Sequence, residues 1–396
     1  MRHNCRNHSL IIIVAIIILG GLLRVYAQAD DEDIIIPFEL EGHGIIIDVS
    51  VNDYPEPLKF IFDTGGRTLL DIKAVEKLGL GEPQDTISYF GYFKRQDEYR
   101  YILDSLKVGP VKKENIKIKI IDFGKKDYLQ GKYGFIGPYF FENYRFTIDY
   151  KKKKIILTDT IKPLEADRNS TLLDFSSYGP GGSPNVKLII GDSLEFEANF
   201  DTGSPRAVIM PESYMDSVSS FLNSPIIKSK GAVLEWPFAP GRESSMSRLN
   251  KIQIGNIILE NIPVVFHPMP LVVGKEILDA FRITYDYPGK RIMLTRYEGE
   301  EIETNVKSFG INHAFNELGY LIIKGLWEGS PADKAGILPS DKILKVNDVL
   351  IDTLSKTGII RYLQTREGDS REYQLKRADS TWTVTLHKEP LLPEIE

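Results

Sequence analysis

The chain has 396 residues, of which 42% are hydrophobic and 26% charged, with a formal net charge of −6. Those values fit a globular protein of two to four domains and argue against nucleic acid as a partner, which would call for a basic face. The single cysteine, Cys5, excludes a disulfide scaffold, a zinc–thiolate site and a cysteine nucleophile in anything downstream of it.

Arg2 and Arg6 open the chain, Leu10 to Leu23 is an apolar run, and Ala27-Gln28-Ala29 offers a small-residue cleavage site. This pattern predicts a secretory signal peptide over residues 1–29, since the core is short of the roughly 20 residues a membrane span needs. An uncleaved anchor is the alternative, and only then would the protein touch a membrane. Removing the segment leaves 46 basic against 55 acidic residues and no cysteine. Export without disulfides fits a bacterial periplasm or cell envelope better than a eukaryotic secretory route.

From residue 30 the pattern is β. Ile45-Ile46-Ile47 and Leu58 to Phe62 are β-branched or alternating runs, and the second ends on Asp63-Thr64-Gly65-Gly66. A helix is expected over Ile72 to Leu78 and a strand over Ile116 to Ile121. Phe135-Ile136-Gly137 precedes a short helix and a hairpin whose turn is the lysine run Lys151 to Lys154. After a polar connection, Lys162 to Asn169, the order recurs. Glu195 to Phe200 alternates, with Phe196, Ala198 and Phe200 on one face, and ends on Asp201-Thr202-Gly203-Ser204. Val272-Val273-Gly274 then precedes another short helix and hairpin. Gly137 and Gly274 are 137 residues apart, as are Asp149 and Asp286, and Asp63 and Asp201 are 138 apart. One offset running from the triplets to the closing hairpins predicts two related β lobes, 30–160 and 161–296, about a pseudo-twofold axis.

An acidic linker, 297–304, separates a third unit, 305–390, from the lobes, and 391–396 is a tail. Gly319 to Ile323 reads as a strand, Gly329 to Ile337 as a turn and short helix, and Asp341 to Asn347 as an alternating strand. Ser355 to Thr365 reads as an amphipathic helix with Ile359, Ile360 and Leu363 inward, and Trp382 to Leu386 as a closing strand.

Two facing Asp-Thr-Gly loops would bring Asp63 and Asp201 together. At about 3 Å and an effective dielectric near 20, two negative charges repel by about 5.5 kcal/mol, so the pair holds one proton near neutral pH. One carboxylate can then take a proton from water while the other donates to a carbonyl oxygen. Gly65 and Gly203 would allow the tight turn that aims each carboxylate. Thr64 and Thr202 can bury hydroxyls in a network between the lobes.

On these residues the first two units resemble an aspartic peptidase of the retropepsin-like kind, with both lobes on one chain. The triplets and the apolar-apolar-glycine elements Phe135-Ile136-Gly137 and Val272-Val273-Gly274 carry the resemblance. It implies a cleft between paired lobes, hydrolysis of extended peptides by Asp63 and Asp201, and the shared proton known for such dyads. Support would come from Thr64, Gly65, Thr202, Gly203 and Ser204. No metal or organic cofactor is called for, the partner is a polypeptide substrate, and dimerisation is not needed to complete the site. Family loops usually place Ser or Thr after the glycine, so Ser204 fits and Gly66 departs. Flaps are expected within residues 87–101 and 226–249, with Tyr89, Tyr92 and Trp236 as candidate substrate-covering aromatics.

The third unit resembles a PDZ domain through Gly-Ser-Pro-Ala (329–332), Ala-Gly-Ile (335–337) and Lys-Val-Asn (345–347). That family adds a peptide to a sheet edge beside a helix. Here the resemblance implies Gly319, Tyr320, Leu321 and Ile322 as the peptide-binding strand, with the helix 355–365 beside it. Ser340 and Asp348 stand where glycine is common. A cap docked on the lobes is the alternative role for this unit.

Rival chemistries lack their motifs. His43, His267, His313 and His387 have no ligand spacing and read as surface or packing residues, and neither H-E-x-x-H nor G-x-S-x-G occurs. Gly179 to Gly182 is a loop with no phosphate-binding helix after it. The expectation is an exported aspartic endopeptidase whose PDZ-like domain positions substrate. The alternative is a peptide-binding envelope protein with a degenerate dyad.

Overall fold

The computed structural model describes residues 33–90, 95–123, 129–158, 164–179, 181–236, 239–302, 304, 307–365 and 368–393. The predicted signal peptide and Tyr92 lie outside the described residues. Within them, no helix is long and apolar enough to cross a membrane.

The protein is mostly β. In the first lobe, eight strands run in the order Glu39–Glu41, Gly44–Val51, Leu58–Phe62, Gly134–Ile136, Leu69–Asp71, Val111–Ile121, Arg95–Val108 and Asp85–Phe90. Val49 also pairs with Val108, which closes the sheet on itself. Period-2 alternation explains the closure. Ile45, Ile47, Val49 and Val51 point inward with Phe60 and Phe62, all at most 1% exposed. Ile46 and Ile61 point the other way, into a second apolar cluster with Leu69, Ile121 and Phe135. Burial on both faces is why this region reads as unbroken isoleucine instead of alternating polar and apolar residues.

The second lobe repeats the plan. Ser176–Tyr178, Ser183–Ile190, Leu194–Phe200, Val272–Val273, Val208–Met210, Ile257–Phe266, Ser245–Ile254 and Ile227–Gly231 follow one another, and Ile189 pairs with Gln253 to close the sheet. The predicted short helices appear as Lys73–Leu78, a 3-10 turn Pro138–Phe141, and Lys275–Leu278.

A six-stranded sheet joins the lobes, with Arg145–Asp149 and Phe281–Asp286 antiparallel at its centre. Thr147 and Thr284 face each other across it, their hydroxyls 2.8 Å apart. The pseudo-twofold axis passes between these two equivalent residues. Phe146 stacks on Tyr285 at 4.9 Å, and Arg145 pairs with Asp286 at 3.0 Å with both side chains buried.

In the third unit the strands Ile311–Phe315, Leu321–Trp327, Lys342–Val346, Ser370–Arg377 and Ser380–His387 pack with the helix Lys356–Thr365 around Ile323, Ile343, Ile359 and Leu375. Ser340 adopts φ +76°, so the left-handed turn that glycine favours is kept without glycine. This unit is not a free bead. Ser229, Lys230 and Gly231 of the second lobe pair with Trp327, Leu326 and Gly325, merging the two sheets. Glu389–Pro390 pairs with Lys307–Ser308, and Leu391 and Leu392 pack with Trp327 against Met246 and Val265 of the second lobe.

One expectation needs correcting. Gly319, Tyr320, Leu321 and Ile322, expected to form the strand that accepts peptide, offer no free edge. The strand Leu321–Trp327 is bonded to Ile311–Phe315 on one side and to Lys342–Val346 and Ile227–Gly231 on the other. Leu321 is buried, and the Gly319 and Tyr320 amides are already bonded to the Asn316 carbonyl and side chain. The outer edge of Ile311–Phe315 has no strand paired to it among the described residues.

Candidate active site

Each triplet ends a strand lying parallel to its apolar-apolar-glycine element. Ile61 and Phe62 pair with Phe135 and Ile136, and the Asp63 N–H donates to the Ile136 carbonyl at 3.0 Å. Asn199 and Phe200 pair with Val272 and Val273, and the Asp201 N–H donates to the Val273 carbonyl at 3.0 Å. The same backbone anchor therefore aims both aspartates.

The two loops interlock through their threonines. The Thr64 hydroxyl donates to the Phe200 carbonyl at 2.7 Å and accepts from the Thr202 N–H at 3.0 Å. The Thr202 hydroxyl accepts from the Thr64 N–H at 3.1 Å. Both threonines are buried, so these bonds are made without competition from water.

Gly65 and Gly203 are required for a different reason than the turn. Neither has positive φ. A Cβ on Gly65 would lie 2.3 Å from the Asp201 carboxyl carbon, and one on Gly203 would lie 2.8 Å from Asp63 Oδ1. Each lobe's carboxylate fills the space where the other lobe's loop would carry a side chain. Gly65→Ala is therefore expected to push the carboxyls apart. We expect kcat to fall about 100-fold, as displacements near 1 Å do, while the thermal midpoint drops only modestly. Unchanged turnover in this variant would mean that the carboxyls do not act as a pair.

The electrostatics of the pair are unequal. The Gly65 N–H donates to Asp63 Oδ1 at 2.9 Å, and the Gly203 N–H to Asp201 Oδ1 at 2.7 Å. Burial raises the pKa of Asp63, while hydrogen bonds from Asp201 and from the N–H groups of Gly65, Gly66 and Gly203 pull it back. Burial, repulsion from Asp63 and the hydrogen bond to Asp63 raise Asp201 well above the usual carboxylate range. Both carboxyls are thus raised, Asp201 the more strongly, and the pair holds one proton between them.

Ser204 is fully buried beside Gly274, but its hydroxyl has no hydrogen-bond partner among the described residues. The backbones of Tyr89 and Trp236 sit in antiparallel strand pairs, opposite Gln96 and Ala239. Three further residues near the loops carry no local signal in the sequence. Arg67, directly after Gly66, faces Glu98 of the strand Arg95–Val108 at 4.0 Å. Glu98 is buried and also binds Lys119 at 2.8 Å and Arg100 at 3.3 Å. His43, read as a surface or packing residue, lies in the field of Lys275 and Arg206. Burial first, then those two cations, push its pKa down to about 4, so it is neutral. Among the described residues, no three His, Cys, Asp or Glu side chains cluster to hold a metal ion.

Fold and site together define a retropepsin-like aspartyl protease unit joined to a PDZ domain. Family models place the same two modules: an aspartyl protease model matches residues 47–137, and a PDZ domain model matches residues 322–377. The first match ends on Gly137, so the second lobe's likeness rests on the repeat and the pseudo-twofold geometry. Comparison with curated proteins gives no match.

Proposed function

We propose that the protein is an exported aspartic endopeptidase that cleaves peptide bonds with a water activated by Asp63 and Asp201. The observation that carries this reading is the interlocked pair of loops, which sets the buried Asp201 carboxyl against the half-buried Asp63 carboxyl. Ionised Asp63 takes a proton from water as the water oxygen bonds to the scissile carbonyl carbon. Asp201 gives its proton to the carbonyl oxygen, leaving a tetrahedral diol. On collapse, Asp63 protonates the leaving nitrogen and a diol hydroxyl returns its proton to Asp201, so the dyad is regenerated.

The PDZ domain would hold polypeptide at the outer edge of Ile311–Phe315, beside the helix Lys356–Thr365. The predicted signal peptide supports placement in a bacterial periplasm or envelope. A second reading, binding without turnover, draws on Gly66 and on the unpartnered Ser204 hydroxyl. The test is to incubate residues 30–396 with a denatured protein mixture from pH 3 to 8. Cleavage with a bell-shaped pH profile is expected. A folded protein that cleaves nothing would establish the second reading.

A further inference from the structure

Gly66 stands where a hydroxyl residue is expected, and there is no room for one. A Cβ at Gly66 would lie 2.8 Å from Asp63 Oδ2. Its carbonyl is wedged just as tightly, since a Cβ on Gly137 would come within 2.5 Å of it and one on Gly181 within 2.6 Å. The first catalytic loop is thus gripped by a segment of the second lobe, Gly181-Gly182-Ser183.

That segment is itself fixed. Gly182 has φ +71°, and a Cβ there would overlap the Tyr139 ring at 2.0 Å. The Tyr287 hydroxyl donates to the Gly182 carbonyl at 2.8 Å. Ser183, 5% exposed, then donates its hydroxyl to the Gly65 carbonyl at 2.8 Å.

The Gly65 carbonyl belongs to the same peptide plane as the Gly66 N–H. Fixing one end of a planar unit fixes the other, and the Gly66 N–H donates to the Asp63 backbone carbonyl at 3.3 Å and, lying beside Asp63 Oδ2, helps hold the carboxyl's pKa down. The lobes divide the work. Ile47 pairs with Phe60 and Val186 with Ala198, so Ser183 is the counterpart of Gly44. The first loop has Gly66 and receives Ser183, whereas the second has Ser204 and the bare glycine Gly44.

We propose that Ser183 is a positioning residue for the first catalytic loop, supplying from the second lobe the hydroxyl that position 66 cannot carry. It holds the Gly65–Gly66 peptide plane so that the Gly66 N–H points at Asp63. This deepens the peptidase reading and rests on it for the kinetic arm of the test alone.

Ser183→Ala is expected to lower kcat on a peptide cleaved by the wild type about tenfold, with KM changed by less than about twofold. Losing a donor to the charged form raises the Asp63 pKa, so the acid limb of the kcat/KM profile moves to higher pH. Ser183→Thr, which keeps the hydroxyl, restores both. A carbon-13 titration of the Asp63 carboxyl in intact protein reads the same change without turnover. If the wild type cleaves nothing, the peptidase reading falls while this arm still decides the role of Ser183. An Asp63 titration unmoved in folded Ser183→Ala overturns the proposal, and so does a kcat loss with an unshifted pH profile.

Discussion

Asp201→Asn is expected to cut peptide cleavage by about 10³-fold or more while raising the thermal midpoint at neutral pH. The loss follows from removing one of the two carboxyls that share the proton, a pair that burial and mutual repulsion keep from ionising together. The gain follows from the same environment. The unfolded chain ionises this side chain near pH 3.9, and the folded protein resists ionisation to a higher pH. A carboxyl raised in this way contributes its full stability below about pH 4 and loses it as pH climbs through the folded-state value. Asparagine carries no charge, so the variant escapes that loss. The midpoint should rise about 2–4 °C for each kcal/mol regained at pH 7, and the difference should vanish near pH 3. Retained cleavage in the folded variant would end the dyad mechanism. A lower midpoint at pH 7 would mean that Asp201 is not held protonated by its surroundings.

The second large effect lies at the seam between the lobes. Arg145→Met is expected to destabilise the protein by about 3 kcal/mol, the lower end of the range for breaking a buried ion pair. Asp286 would be left buried and charged, with the Gly289 N–H at 3.1 Å and Arg291 at 3.9 Å as partial compensation. Replacing both partners, Arg145→Met with Asp286→Leu, removes the stranded charge and should recover most of the loss. Denaturant unfolding at pH 7 measures both variants. A cost below about 1 kcal/mol for the single variant, a value typical of exposed pairs, would show that the seam is wet enough to solvate Asp286.

What could be read from sequence follows from what must be repeated. Two loops that aim two carboxyls alike need the same strand, triplet and apolar-apolar-glycine element, so one offset runs through the chain and exposes both lobes. Contacts that pair unlike residues leave no such trace. Ser183 meets the Gly65 carbonyl across 118 positions and Lys119 meets Glu98 across 21, with nothing in the local pattern to announce either. The free sheet edge of the PDZ domain is hidden in the sequence for a related reason. Tyr320 to Ile323 is the strongest apolar run in that unit because its strand is bonded on both sides. The true edge, Ile311-Asn312-His313-Ala314-Phe315, is more polar, as edge strands tend to be. Ser340, which stands where glycine is common, keeps the turn at φ +76°.

The strand shared by Ile227–Gly231 and Leu321–Trp327 restricts how this chain could have been assembled and how it can be rearranged. A protease unit cut at the acidic linker would expose the unpaired amides and carbonyls of Ser229 to Gly231, a template for edge-to-edge aggregation. It would also lose Trp327 and Leu392 from the cluster that contains Met246 and Val265. A PDZ domain borrowed from another protein would need to bring a matching strand and a tail as well as a groove. The two modules therefore form one mechanical unit, and any swap engineered into this chain would have to carry Ile227–Gly231 and Leu321–Trp327 together.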